Sequence, residues 1–174
     1  MFYYLVQHPQ VFNSPSKEPN YLASDFPSTH IVHSDEEYFS LFKDAGPEHK
    51  FIGEASVGYM YSAEAPRRIL EINPDAKLIL MLRNPLEIVP SWHMHCIAML
   101  METERDFAKA WALQDERAAG RQIPANCGEP FFLQYREIGQ LGKYLEKLLA
   151  IVPADQLKII FQEDMKTDLR GVYD

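Results

Sequence analysis

Two stretches, "KLILMLR" (77–83) and "QLKIIF" (156–161), are apolar almost from end to end and no longer than a strand. Runs of this kind suit strands covered on both faces, as in parallel sheets. The chain around them has helical signals. "SDEEYF" opens with a capping box, Ser34 with Glu37 three residues on, which predicts a helix start. "SAEAPRRILEI" reads as a helix with Ile69, Leu70 and Ile72 on its apolar side, stopped at Asn73-Pro74. "IGQLGKYLEKLLAIVP" places Ile138, Leu141, Leu145, Leu148 and Leu149 on one helical face. A shorter strand is expected at "KFIG", and a long helical region follows Trp92, apolar first and amphipathic later. "MFYYLVQ" reads as a helix tail, "VFNSPSKEPNYLASDFPS" as a surface loop, and "KTDLRGVYD" as the first turn of a helix. Strands alternating with helices define an α/β protein with a mainly parallel sheet, and 174 residues suit one domain. Ligands of such sheets sit beyond the C-terminal strand ends, where Arg83, Glu54 and the "QED" at 162–164 fall.

The formal net charge is -8, against the electrostatics of a general nucleic-acid binder. Cys96 and Cys127 are too few for a disulfide framework and form no C-x-x-C pair. "MFYYLVQHPQ" lacks the basic start of a signal peptide, and no apolar stretch is long enough to span a bilayer. These features predict a cytoplasmic protein with no transmembrane segment, and nothing in them specifies an oligomeric state.

The tip of the first apolar run carries chemistry. Arg83 offers a planar fork to an oxyanion, Asn84 suits a helix cap, and Pro85 suits the first helical position. The helix N-terminus adds partial positive charge, and Ser91, two turns along, adds a hydroxyl donor. That is the composition of a phosphate site; an ordinary turn with a surface ion pair is the plain alternative. Pro90 complicates the placement of Ser91, because it removes an N–H that should bond to Leu86. Either the helix is kinked there or it restarts at Pro90.

The segment "AKLILMLRNPLEIVPSWHMH" resembles the 3′-phosphate-binding segment of sulfotransferases that use 3′-phosphoadenosine 5′-phosphosulfate (PAPS). "LVQHPQVFNSPSKEPNYLA" is similar to the family's histidine-proline and "KEP" loop, and "GEASVGYMYS" to its "G-E-x-S/T-P-x-Y" element. "FLQYREIGQLGKYLEKLLAIVPADQLKIIFQEDMKTDLRGVYD" resembles the family's later helix and "E-D-x-x-x-D" region, so the resemblance covers nearly the whole chain in order. It implies a three-layer, P-loop NTPase-like fold, sulfuryl transfer from PAPS to an acceptor hydroxyl or amine, and no metal. It assigns Arg83 and Ser91 to the 3′-phosphate and Glu18 to the general base. Lys17, Tyr59 and Tyr135 are weaker acceptor-side or cofactor-side candidates. The acceptor is expected to be a small molecule or a carbohydrate.

The family's first strand and its "K-x-G-T-T" phosphate loop have no counterpart among these 174 residues, whose glycines are scattered. The expectation is a single partial domain over residues 1–174, lacking that strand and loop, which by itself binds PAPS poorly and turns over negligibly. The rival is a non-catalytic family member acting as a binding module; a P-loop kinase-like fragment is disfavoured by the missing "GKS/T" signal. Asn20 stands where sugar-acting relatives often carry histidine. His93, His95 and Cys96 are too close along a helix to share one metal. The mixed-charge stretches "ETERD" and "DERAAGR" are expected to be solvated helix faces.

Overall fold

The computed structural model describes residues 1–173, the side chain of Tyr173 excepted. Two compact units divide the chain, Met1–Arg68 and Ile69–Asp174.

The first unit contains α1 (Phe2–Leu5), β1 (Val11–Asn13), α2 (Asp35–Ser40) and β2 (Phe51–Gly53). β1 and β2 pair in parallel, with Val11 opposite Phe51 and Asn13 opposite Gly53. Ser34 caps α2, its hydroxyl accepting the Glu37 N–H at 3.2 Å, as the capping box predicts. The Glu37 carboxylate reaches past the cap to the His33 N–H at 2.7 Å. The segment expected to be a surface loop differs in two ways. Its first residues form β1, too short to signal itself in the sequence, and Ser14, Pro19, Leu22, Ala23 and Phe26 are buried. Apolar residues spaced among prolines and serines fold inward once turns bring them together, so polarity along the chain misread this segment.

Helix α3 (Ala65–Ile72) leads into β3 (Leu78–Leu82), α4 (Pro85–Ala98), α5 (Phe107–Ala112), α6 (Gln114–Ala118), α7 (Tyr135–Ile138), α8 (Leu141–Leu149), β4 (Leu157–Phe161), α9 (Gln162–Thr167) and α10 (Leu169–Tyr173). β3 and β4 form a parallel pair in register from Leu78–Leu157 to Leu82–Phe161. The long helical region after the strand is three helices, with Leu100 in a left-handed conformation (φ 61°) ending the first. Burial of β3 alternates: Leu82 is buried, but Ile79 and Met81 are 45% and 39% exposed. Coverage on both faces, expected from the apolar run, is therefore incomplete among the described residues. The second unit's core gathers Val89, Cys96, Ala110, Cys127, Leu133 and Tyr135. Burial pushes the Cys96 thiol up to about 12, so it behaves as a small apolar group.

Helix α4 runs unbroken through Pro90. The carbonyl left without a donor belongs to Leu86, which is 84% exposed in the first turn, where water can serve it. Proline inside a helix still costs more than alanine, offset in part by its restriction of the unfolded chain. Pro90→Ala is expected to stabilise the protein by about 1–2 kcal/mol, read as a higher urea midpoint at unchanged slope.

Candidate functional site

Arg83 leaves the C-terminal end of β3 one residue before the cap of α4. The Asn84 side chain accepts the Leu86 N–H at 2.9 Å, and Pro85 opens the helix, as the sequence predicts. The Arg83 side chain is 35% exposed and donates from Nε to Glu87 Oε2 at 2.9 Å. That bond occupies one nitrogen and leaves the two terminal nitrogens without a partner among the described residues. Arg83 also lines a cavity of about 530 Å³ with Asn84, Pro85, Gly142, Leu145 and Glu163 among its walls. The cavity thus lies beyond the ends of β3 and β4, the place expected for a ligand of a parallel sheet.

Ser91 is exposed on α4 and is not among the residues lining this cavity. It lies one turn beyond Glu87 on the same side of the helix, because residues four apart share a face. Arg83, Glu87 and Ser91 therefore form one row. The sequence reading placed Glu163, within "QED", at this edge, where it lines the cavity, but missed Glu87, the carboxylate that binds the guanidinium. The four-residue spacing from Arg83 to Glu87 was the available signal for Glu87.

In the first unit, Glu18 sits in a turn built from two left-handed residues, Glu18 (φ 59°) and Asn20 (φ 54°). Asparagine tolerates that backbone better than most residues. Its Nδ2 donates to the Glu18 and Thr29 carbonyls at 3.0 and 3.3 Å, clamping the turn. Glu18 Oε2 accepts the Val57 N–H at 2.7 Å, and Oε1 faces the Lys17 ammonium at 3.3 Å. With the two side chains 31% and 46% exposed, that ion pair contributes little stability, but it leaves both groups reachable by a ligand.

Tyr59 follows in the adjoining turn, part-buried. Its hydroxyl accepts the Leu22 N–H at 3.2 Å and bonds Glu54. Burial and the Glu54 charge push it well above the usual phenol range, so it is a fixed neutral group. The Glu54 carboxylate, at the tip of β2, accepts from Ser56 Oγ at 2.8 Å and Tyr38 at 3.4 Å. Burial raises its proton affinity, the three hydroxyls lower it, and the Glu18 charge adds to the rise; the net shift is upward.

Tyr135 lies elsewhere than a cleft wall. It is 0% exposed, and its hydroxyl donates to Glu102 Oε2 at 2.6 Å. Arg117 grips the same carboxylate with both terminal nitrogens, at 2.6 and 2.8 Å, and the N–H groups of Thr103 and Glu104 complete the set. Burial alone would raise the Glu102 carboxyl; the bonds from Arg117 and Tyr135 outweigh it and hold the group below the usual carboxylate range. The two mixed-charge stretches expected to be solvated thus supply a buried ion pair. Charge spacing along a helix could not reveal a partner fifteen residues away across a turn. His93, also buried, bonds the Glu104 carbonyl at 2.8 Å.

No family model matches the chain. The human protein named bifunctional heparan sulfate N-deacetylase/N-sulfotransferase 3 is 28% identical over 178 aligned positions, which take in all of this chain and 20% of that one. The mouse protein of the same series numbered 4 is 24% identical over all of this chain, again 20% of its own length. The crystal structure of a sulfotransferase from Alicyclobacillus acidocaldarius superposes with a TM-score of 0.82 at 29% identity, covering 97% of this chain and 70% of that one. The chain belongs to a sulfotransferase family. This sulfotransferase-family chain has the α/β fold with parallel strands of that structure, as the sequence predicted. It spans about a fifth of the length of the curated relatives it matches.

Proposed function

We propose that this chain binds PAPS through the 3′-phosphate and takes part in sulfuryl transfer to an acceptor hydroxyl or amine. The observation that carries the reading is Arg83: a strand-tip guanidinium whose Nε is held by Glu87 while its terminal nitrogens are open beside a cavity. A guanidinium fixed on one edge presents the other edge to two phosphate oxygens. Ser91, farther along the same row, supplies a hydroxyl to the same phosphate. The apolar walls beside Arg83, among them Leu145 and Phe161, suit the ribose and base of a nucleotide.

In the reaction, the acceptor oxygen or nitrogen attacks sulfur in line. The bond from sulfur to the phosphate oxygen breaks, and adenosine 3′,5′-bisphosphate leaves. Glu18 takes the proton that the acceptor loses. Its exposed carboxylate and the strained turn that holds it support this role. Lys17, beside it, contacts the sulfonate or an anionic acceptor. The names of the curated relatives support a carbohydrate acceptor. The chemistry needs no metal.

Because no glycine-rich phosphate loop lies among these residues, turnover by the 174-residue chain alone is expected to be slight. Single-turnover assays with the chain in excess over ³⁵S-PAPS, and N-deacetylated heparan oligosaccharide as acceptor, would measure it. Glu18→Gln is expected to lower that rate by about 10²–10⁴-fold, leaving the affinity for adenosine 3′,5′-bisphosphate unchanged. Equal rates in the two proteins would remove Glu18 from the mechanism.

A further inference from the structure

We infer that Glu54 is a positioning residue for Glu18, acting through the Ser56 hydroxyl; the functional half of this inference rests on the proposal that Glu18 is the base. The argument is one of hydrogen-bond polarity. A carboxylate only accepts, so Ser56 Oγ, 2.8 Å from Glu54 Oε2, has to donate its single proton there. Its lone pairs are then free for the Asn20 N–H, which donates to Ser56 Oγ at 3.1 Å. Asn20 is one of the two left-handed residues that shape the base's turn.

Two more bonds tie the same turns together: the Glu18 N–H to the Ala55 carbonyl at 2.9 Å, and the Val57 N–H to Glu18 Oε2 at 2.7 Å. The turn at 54–57 is therefore a template for the turn at 17–20. The template is fixed by a part-buried carboxylate that also collects the Tyr38 and Tyr59 hydroxyls. Glu54 follows β2 directly, so the β1–β2 pairing sets where the template stands. Left-handed backbone at Glu18 and Asn20 costs energy and persists only where its surroundings impose it. The chain from Glu54 through Ser56 to Asn20 is such an imposition.

Replacing Glu54 by glutamine keeps the shape but introduces an N–H₂ donor. The amide then competes for a Ser56 lone pair and no longer pins the Ser56 proton, so the bond from the Asn20 N–H is weakened. Amide hydrogen exchange, followed by ¹⁵N NMR on the whole chain, reads this directly. Glu54→Gln is expected to speed exchange at Asn20 and Val57 by about tenfold or more and to shift both amide proton resonances. Exchange at Ser14, whose N–H bonds the Gly53 carbonyl at 2.8 Å in the same sheet, should stay within twofold. Ser56→Ala should reproduce the effect without touching Glu54. Ser56→Thr, which keeps the oxygen, should restore slow exchange at both amides.

Unchanged exchange at Asn20 and Val57 in both Glu54→Gln and Ser56→Ala would overturn the inference. So would equal acceleration at Ser14, which would show general loosening of the sheet. These readouts do not depend on turnover. If exchange follows the expected pattern while Glu18→Gln leaves the transfer rate intact, the positioning stands and the base assignment fails.

Discussion

Arg83→Ala is expected to weaken binding of adenosine 3′,5′-bisphosphate by about 30–150-fold, measured by calorimetry at fixed low salt. Hydrogen bonds to a charged group contribute about 1.5–3 kcal/mol, and a bidentate guanidinium sits at the top of that range. The exposed ion pair with Glu87 has little influence on folding, so the variant should melt within a degree or two of the parent. Lysine at this position keeps the charge but loses the fork, and should recover only part of the affinity. Ser91→Ala removes one neutral donor and should cost a few-fold. The parent affinity itself is expected to be modest, since Glu87 and Glu163 place negative charge near the same ligand.

The largest effect on stability should come from the second unit's buried carboxylate. Glu102→Ala leaves the Arg117 guanidinium, whose side chain is 1% exposed, without its counter-charge. Breaking a buried pair from one side costs about 3–5 kcal/mol, a large share of the stability of an ordinary domain. Glu102→Gln keeps the shape and should cost less, and Tyr135→Phe should cost about 1–2 kcal/mol for the one lost hydroxyl.

The same carboxylate makes stability fall in acid. Its folded proton affinity lies below that of the unfolded chain, whose ordinary value is 4.5. The stabilisation is therefore complete above that pH and is lost as pH falls through the folded value. Urea midpoints taken between pH 6 and pH 3 should drop steeply for the parent and less steeply for Glu102→Gln. Parallel curves would remove Glu102 as a source of the acid sensitivity.

The parts of this structure that the sequence announced are those set by local rules. The cap at Ser34, the Asn84-Pro85 helix start, and strands β3 and β4 depend on neighbours within a few residues, and all appear. Arg83 was legible for the same reason: a strand tip followed by a helix start fixes where its side chain emerges. What depended on distant contacts stayed hidden. Glu102 and Arg117 look like solvated charges until α6 brings one over the other. Tyr135 carries the same residue type as a cleft tyrosine, and only its place beneath α4 decides that it is structural. Glu54 stood out as a strand-tip carboxylate, but its grip on Ser56 and through it on Asn20 spans thirty-six residues and needed the fold.

The central claim is that a ribose-linked 3′-phosphate docks on Arg83. Competition between adenosine 3′,5′-bisphosphate and adenosine 5′-monophosphate on the unaltered chain tests it most directly, because the two ligands differ by that phosphate alone. The bisphosphate should bind at least tenfold more tightly, and Arg83→Ala should shrink the difference to the few-fold that Ser91 supplies. Equal affinities for the two nucleotides on the unaltered chain would contradict the account.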